Sequence, residues 1–167
     1  MAAFALCLAG SSAAPELEYV GNVIGVGIGD VPEGAPMVFG DIPLCVSSSE
    51  VRIVSVEPIH PTGAFTVTRF LVRPNPYKTG GEMLGTDHVS LAATGFRGGT
   101  TVSAHCGKTG DVDELAVEAV RRSVKPAVAH GIRIDYIQGT AHGHVDLPWT
   151  VTLCGGTAGA TPCPGAG

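Results

Sequence analysis

Apolar and polar residues along this chain fall into short runs that end at glycine, proline or a small polar residue. The clearest run is Val51-Arg52-Ile53-Val54-Ser55-Val56, whose β-branched side chains suit a pleated strand. Both of its faces are partly apolar, so the run leaves its buried face open. Residues 64–72 form a second strand. Its apolar pairs Phe65/Val67 and Phe70/Val72 lie in opposite parity, which predicts a β-bulge near Thr68-Arg69. Ile132, Ile134 and Tyr136 alternate through a strand at 131–137. Val145, Leu147, Trp149, Val151 and Leu153 form one face of a last strand, in which Pro148 marks an edge position or a bulge. Residues 100–105 make a further strand that ends at Cys106-Gly107.

Other segments are less regular. Residues 17–29 are apolar with four interleaved glycines, which a helix would tolerate badly at about 1 kcal/mol each. We read them as an irregular edge strand, followed by a turn-rich loop and a short strand at 37–39. A Pro/Gly loop covers 73–85, and 88–93 reads as a strand or one helical turn. Residues 112–122 fit two periods. A strand forming a hairpin with 131–137 is the reading adopted, and a helix capped by Asp111 is the alternative. Turns recur at roughly the 8–12-residue spacing of all-β folds. The expected fold is all-β, an antiparallel immunoglobulin-like β-sandwich of about seven to nine short strands, occupying 15–154.

Composition agrees with one turn-rich domain. The 167 residues include 24 Gly and 12 Pro, 44% are hydrophobic and only 15% are charged. Net charge is −5, and the basic residues are scattered, which argues against a nucleic-acid partner. The tightest basic group, Arg121, Arg122 and Lys125, reads as a solvated element end.

Residues 1–14 have the pattern of a leader: an apolar run at 2–10, then Ser11-Ser12-Ala13-Ala14, with cleavage expected after Ala13. A basic n-region is missing. The run is too short to span a bilayer, so no transmembrane span is expected in the mature chain. Cys7 would leave with the leader. Cys45, Cys106, Cys154 and Cys163 would remain, none in a Cys-x-x-Cys pair. A Cys45–Cys154 clamp would join the two ends of the fold, stabilising it by roughly 4–5 kcal/mol in the chain-entropy model. Cys106 is a rival partner for either. Cys163, in the Gly/Ala/Pro tail 155–167, is free or pairs with Cys106.

Few motifs carry chemistry. Gly25-Val26-Gly27-Ile28-Gly29-Asp30 lacks the last glycine of a dinucleotide fingerprint, and no helix follows. Phosphate-loop, nucleophile-elbow and zinc-protease motifs are missing. Cys106 follows His105 directly, and neighbouring strand residues face opposite ways, so they make a poor dyad. The best constellation is His142-Gly143-His144, with Asp146 in the same parity. Two imidazoles and a carboxylate suit Cu²⁺ or Zn²⁺, and His105 or Cys106 could add a ligand. No other cofactor is expected.

Ile42-Pro43-Leu44-Cys45, Val51 to Val56, Phe70-Leu71-Val72-Arg73-Pro74-Asn75-Pro76 and Val151-Thr152-Leu153-Cys154 together resemble uncharacterised secreted proteins or lipoproteins of high-GC Gram-positive bacteria. The chain departs from the lipoprotein pattern at Leu8-Ala9-Gly10-Ser11, where serine replaces the lipid-acceptor cysteine. The resemblance implies an exported β-sandwich with cysteines near strand ends and no established activity. The functional expectation is therefore an extracytoplasmic, non-enzymatic protein that binds a protein or small ligand at the cell envelope. The alternatives are a copper or zinc binder using the His-x-His strand and an unrecognised hydrolase.

Overall fold

The computed structural model describes residues 16–22, 25–107, 111–156 and Cys163. The expected leader, its cleavage site and most of the tail lie outside the described residues. Twelve strands are present among the described residues, with one short 3-10 helix at Pro76–Thr79 and no α-helix. The strands are β1 (Leu17–Tyr19), β2 (Gly25–Ile28), β3 (Pro36–Val46), β4 (Val51–Pro58), β5 (Phe65–Pro74) and β6 (Thr86–Asp87). They continue with β7 (Thr101–Val102), β8 (Asp113–Arg121), β9 (Ala127–Ala129), β10 (Ile132–Gln138), β11 (Ala141–Leu147) and β12 (Thr150–Leu153).

Three sheets result. The first runs β1-β3-β8-β5, with β6 also on β3; the second runs β11-β10-β4-β7; the third runs β2-β12-β9. Pairing between these strands is antiparallel, apart from the parallel β2–β12 pair. Inward side chains from all three sheets share one core, including Phe39, Leu44, Ile53, Leu115, Ile134, Trp149 and Leu153. This is the burial pattern of a β-sandwich.

The bulge expected in the second strand is there, as a register shift between Val67 and Arg69 of β5. A similar shift in β4 settles its buried face. Val54 is the extra residue between the Ile53–Tyr136 and Ser55–Asp135 pairs, so Val51, Ile53 and Val56 all turn inward.

Several expectations need correction. In place of one edge strand over 17–29, β1 (Leu17–Tyr19) and β2 (Gly25–Ile28) lie in two different sheets. The short strand at 37–39 is the start of an eleven-residue strand that continues past an irregularity at Gly40-Asp41, where Asp41 has φ 59°. Residues 113–121 are a strand, but not one arm of a hairpin with β10. β8 lies between β3 and β5, and the intervening β9 leaves for the third sheet. The last apolar run is broken at Pro148-Trp149, where the chain passes from the second sheet to the third. Arg121 is buried, only 4% exposed, and donates to the carbonyls of Val31, Ser123 and Lys125. It is a structural tie, not a solvated end.

The cysteines pair as Cys45–Cys106 and Cys154–Cys163, in place of the expected Cys45–Cys154 clamp. The cause is topological. A bridge between Val46 and His105 brings the end of β3 beside residue 106, and the Cα atoms of Cys45 and Cys106 stand 5.1 Å apart, suited to a disulfide. Cys154 ends β12 in another sheet, where the chain returns to it at Cys163. Two disulfides fit folding in an oxidising, extracytoplasmic compartment. Among the described residues, no helix is long and apolar enough to cross a membrane.

Candidate functional site

The two outer sheet faces differ. On the first sheet, Val38, Leu71 and Ala116 point away from the main core and are covered by the segment after β5. Leu84, Leu91 and Phe96 of that segment pack on them as a second, smaller apolar cluster. Acidic side chains of β8 fasten the cover. The completely buried Glu114 carboxylate accepts from the backbone N–H of Leu84 (2.5 Å) and Asp41 (3.2 Å) and from Arg73 Nε (2.6 Å). Arg73 also lies 4.5 Å over the Phe96 ring. Glu118 accepts from Leu91 N–H (2.7 Å) and Thr68 Oγ1 (2.6 Å). At the end of the strand, Asp113 takes the N–H groups of Ser103 (2.6 Å) and Ala104 (3.0 Å). These three carboxylates satisfy backbone donors that the long connections would otherwise bury unpaired.

The outer face of the second sheet has no such cover among the described residues. It presents Arg52, Val54 and Glu57 from β4, Arg133, Asp135 and Ile137 from β10, and His142, His144 and Asp146 from β11. Val54, 42% exposed, is one of the few large apolar side chains open to solvent. Strand β11 is the edge of this sheet. It joins β10 through the two-residue loop Gly139-Thr140 between the paired Gln138 and Ala141, and Gly139 has φ 58°. A glycine first in a two-residue loop suits a type II′ hairpin turn.

The hairpin explains the sequence His-Gly-His. Gly143 pairs directly with Tyr136, and a Cβ there would stand 2.5 Å from the Tyr136 ring tip. Only glycine lets β11 lie against that buried ring. His142 and His144, one residue either side, therefore both face outward and are exposed.

Asp146 shares their face, as its parity indicated, but is engaged elsewhere. Arg133, its cross-strand neighbour, grips it with two hydrogen bonds of 2.8 and 2.7 Å. Those hydrogen bonds and the guanidinium charge hold the Asp146 carboxyl below its ordinary range and raise Arg133 above its own. The carboxylate directly opposite His144 is Asp135, which spacing within one strand could not reveal. Its Oδ2 accepts from Ser55 Oγ at 2.7 Å. His105 bridges Val46 at the end of β3, and Cys106 is tied in its disulfide, so neither joins β11. Among the described residues, the only three metal-ligating side chains whose donor atoms already meet are Glu18, Cys45 and Cys106, and the two sulfurs there are bonded to each other.

Among the described residues, open clefts lie both away from this face and at its border. One of about 700 Å³ is lined by Asp30, Glu33, Arg121, Val124, Gly155 and others. A groove of about 380 Å³ runs between β4 and β5, past both bulges. Bulges at paired edges of this kind twist a strand out of reach of a further strand.

No protein-family model, no curated protein and no solved structure matches this chain.

Proposed function

We propose that this protein is an exported, non-enzymatic immunoglobulin-like β-sandwich of the cell envelope, and that it binds a protein or small ligand through the outer face of β4, β10 and β11. The observation that carries this reading is the asymmetry of the two outer faces: one is capped by an apolar cover, and the other has no such cover among the described residues. A sheet face left open beside a capped one is where a sandwich can meet a partner without unfolding any part of itself. The two disulfides support the export component.

The test is fractionation of cells expressing the full chain, followed by non-reducing peptide mapping. The expected product lies outside the cytoplasmic membrane, begins at Ala14, and yields linked Cys45/Cys106 and Cys154/Cys163 peptides. Recovery in the cytoplasm with four free thiols would overturn the reading. For the binding face, Arg52→Glu is expected to reduce retention on washed envelopes, and Lys78→Glu, on the capped side, to leave it unchanged. Equal retention of both variants would move the partner site elsewhere.

A further inference from the structure

We propose that His142, His144 and Asp135 form a binding site for one divalent transition-metal ion, Cu²⁺ or Zn²⁺, on the outer face of the β10–β11 hairpin. This rests on the preceding reading only for the exposure of that face. Three features carry it. First, alternation on β11 puts both imidazoles on one side, roughly 6.8 Å apart along the strand at the backbone. Two imidazole arms can converge on one ion across that span, because each adds several ångströms of reach and metal–nitrogen bonds are about 2.0–2.1 Å.

Second, the register places Asp135 directly across from His144. Cross-strand neighbours of this kind have Cβ atoms about 4.5–5.5 Å apart, within reach of one coordination sphere. Ser55, on the β4 side of β10, donates to Oδ2 of Asp135, so the oxygen that would meet a metal at His144 is Oδ1. Hydrogen-bonded ligating carboxylates are the usual second-layer arrangement in metal sites. Two neutral imidazoles and one carboxylate also form a donor set suited to zinc and copper.

Third, the platform is firm. Seven consecutive residue pairs join β10 to β11, and Gly143 seats the strand on Tyr136. The donor atoms of the three side chains do not lie within 4.8 Å of one another. Closing them on an ion takes χ rotations of the two exposed imidazoles, which occur in picoseconds to nanoseconds, and a turn of the Asp135 carboxylate toward β11. The other charged groups on this face are Asp146, Arg133, Glu57 and Arg52. Asp146 stays with Arg133, which neutralises it and sets the site nearer the hairpin turn than residue 146.

The experiment is calorimetric titration of the purified, untagged, oxidised chain with Cu²⁺ and separately with Zn²⁺. One ion per chain is expected. His142→Asn and His144→Asn are each expected to weaken binding at least tenfold, Asp135→Asn several-fold, and Asp146→Asn hardly at all. Selective broadening of the His142 and His144 imidazole signals by substoichiometric Cu²⁺ would locate the ion. Equal binding by the wild type and the His142→Asn/His144→Asn double variant would overturn the proposal, as would broadening centred on His60, His88 or His130. The unfolding midpoint of each metal-free variant checks that these surface changes leave the fold intact. A failed titration would leave export and partner binding untouched, because both are measured on cells and envelopes.

Discussion

Replacing Glu114 by alanine should loosen one whole side of the molecule. The carboxylate is completely buried and holds three donors: two backbone N–H groups, from Asp41 and Leu84, and the Arg73 guanidinium. Each backbone donor left without a partner costs about 1–3 kcal/mol. Breaking a buried ion pair by deleting one member costs about 3–5 kcal/mol. The second figure is reduced here, because the Arg73 side chain is 25% exposed and keeps the Glu82 carbonyl at 2.7 Å and the Phe96 ring. The combined expectation for Glu114→Ala is about 3–5 kcal/mol, a large part of the 5–15 kcal/mol that stabilises an ordinary domain. Glu114→Gln keeps one acceptor oxygen and should cost about half as much. Urea unfolding of the oxidised protein measures the loss, and amide hydrogen exchange locates it. The Leu84 and Leu91 amides should lose protection well before those of β10. A loss below about 1 kcal/mol, with Leu84 protection unchanged, would refute the idea that Glu114 fastens the cover.

Three more outcomes follow from the geometry. The Cys45–Cys106 bond spans 61 residues and Cys154–Cys163 only nine; removing the first by a double alanine substitution should cost about 4 kcal/mol and removing the second about 2.5–3 kcal/mol, so the reverse order in unfolding midpoints would contradict the loop-closure account. Gly143→Ala should cost about 1–3 kcal/mol by forcing the Tyr136 ring out of place, visible as loss of the near-ultraviolet tyrosine signal; an unchanged spectrum and stability would show that β11 has room to give. Asp146 is held below the ordinary carboxylate range by Arg133, so its contribution is present above pH of about 4 and fades as pH falls through its lowered folded-state value. The pair is exposed and screened by solvent, so its contribution is small, and an Asp146 carboxyl signal titrating at or above the ordinary aspartate value would contradict the pairing.

What the sequence discloses, and what it hides, depends on whether the cause is local. The bulge in β5 was legible because Phe65/Val67 and Phe70/Val72 disagree in parity within one strand. The buried face of β4 was not, because the bulge at Val54 mixes the parities that would identify it, and no aromatic pair marks the change. Gly40 and the left-handed Asp41 interrupt the regular strand pattern, so only residues 37–39 of β3 were recognised. Cys45–Cys106 was legible only as a rival to the Cys45–Cys154 clamp, and Cys154–Cys163 not at all, because pairing depends on which strand ends meet and the Val46–His105 bridge leaves no local trace. The candidate metal site was half legible. Alternation within β11 puts His142 and His144 on one face, whereas the position of Asp135 opposite His144 and the Arg133–Asp146 pair depend on cross-strand register. Nothing near Glu114 and Glu118 in the sequence shows that a distant segment will cover them.

The place of β8 also bears on the order in which the protein can be assembled. It lies between β3 and β5, yet it follows both along the chain. A chain emerging N-terminus first presents two strand edges with no strand to join them until residue 121 has appeared. Cys45 and Cys106 both emerge before that point, so the first covalent link can form while the first sheet still lacks its middle. During that interval the nascent sandwich has two unpaired edges, an opening for mispairing with a neighbour. Synthesis of β8 closes that interval, and the same strand brings the carboxylates that fasten down the cover.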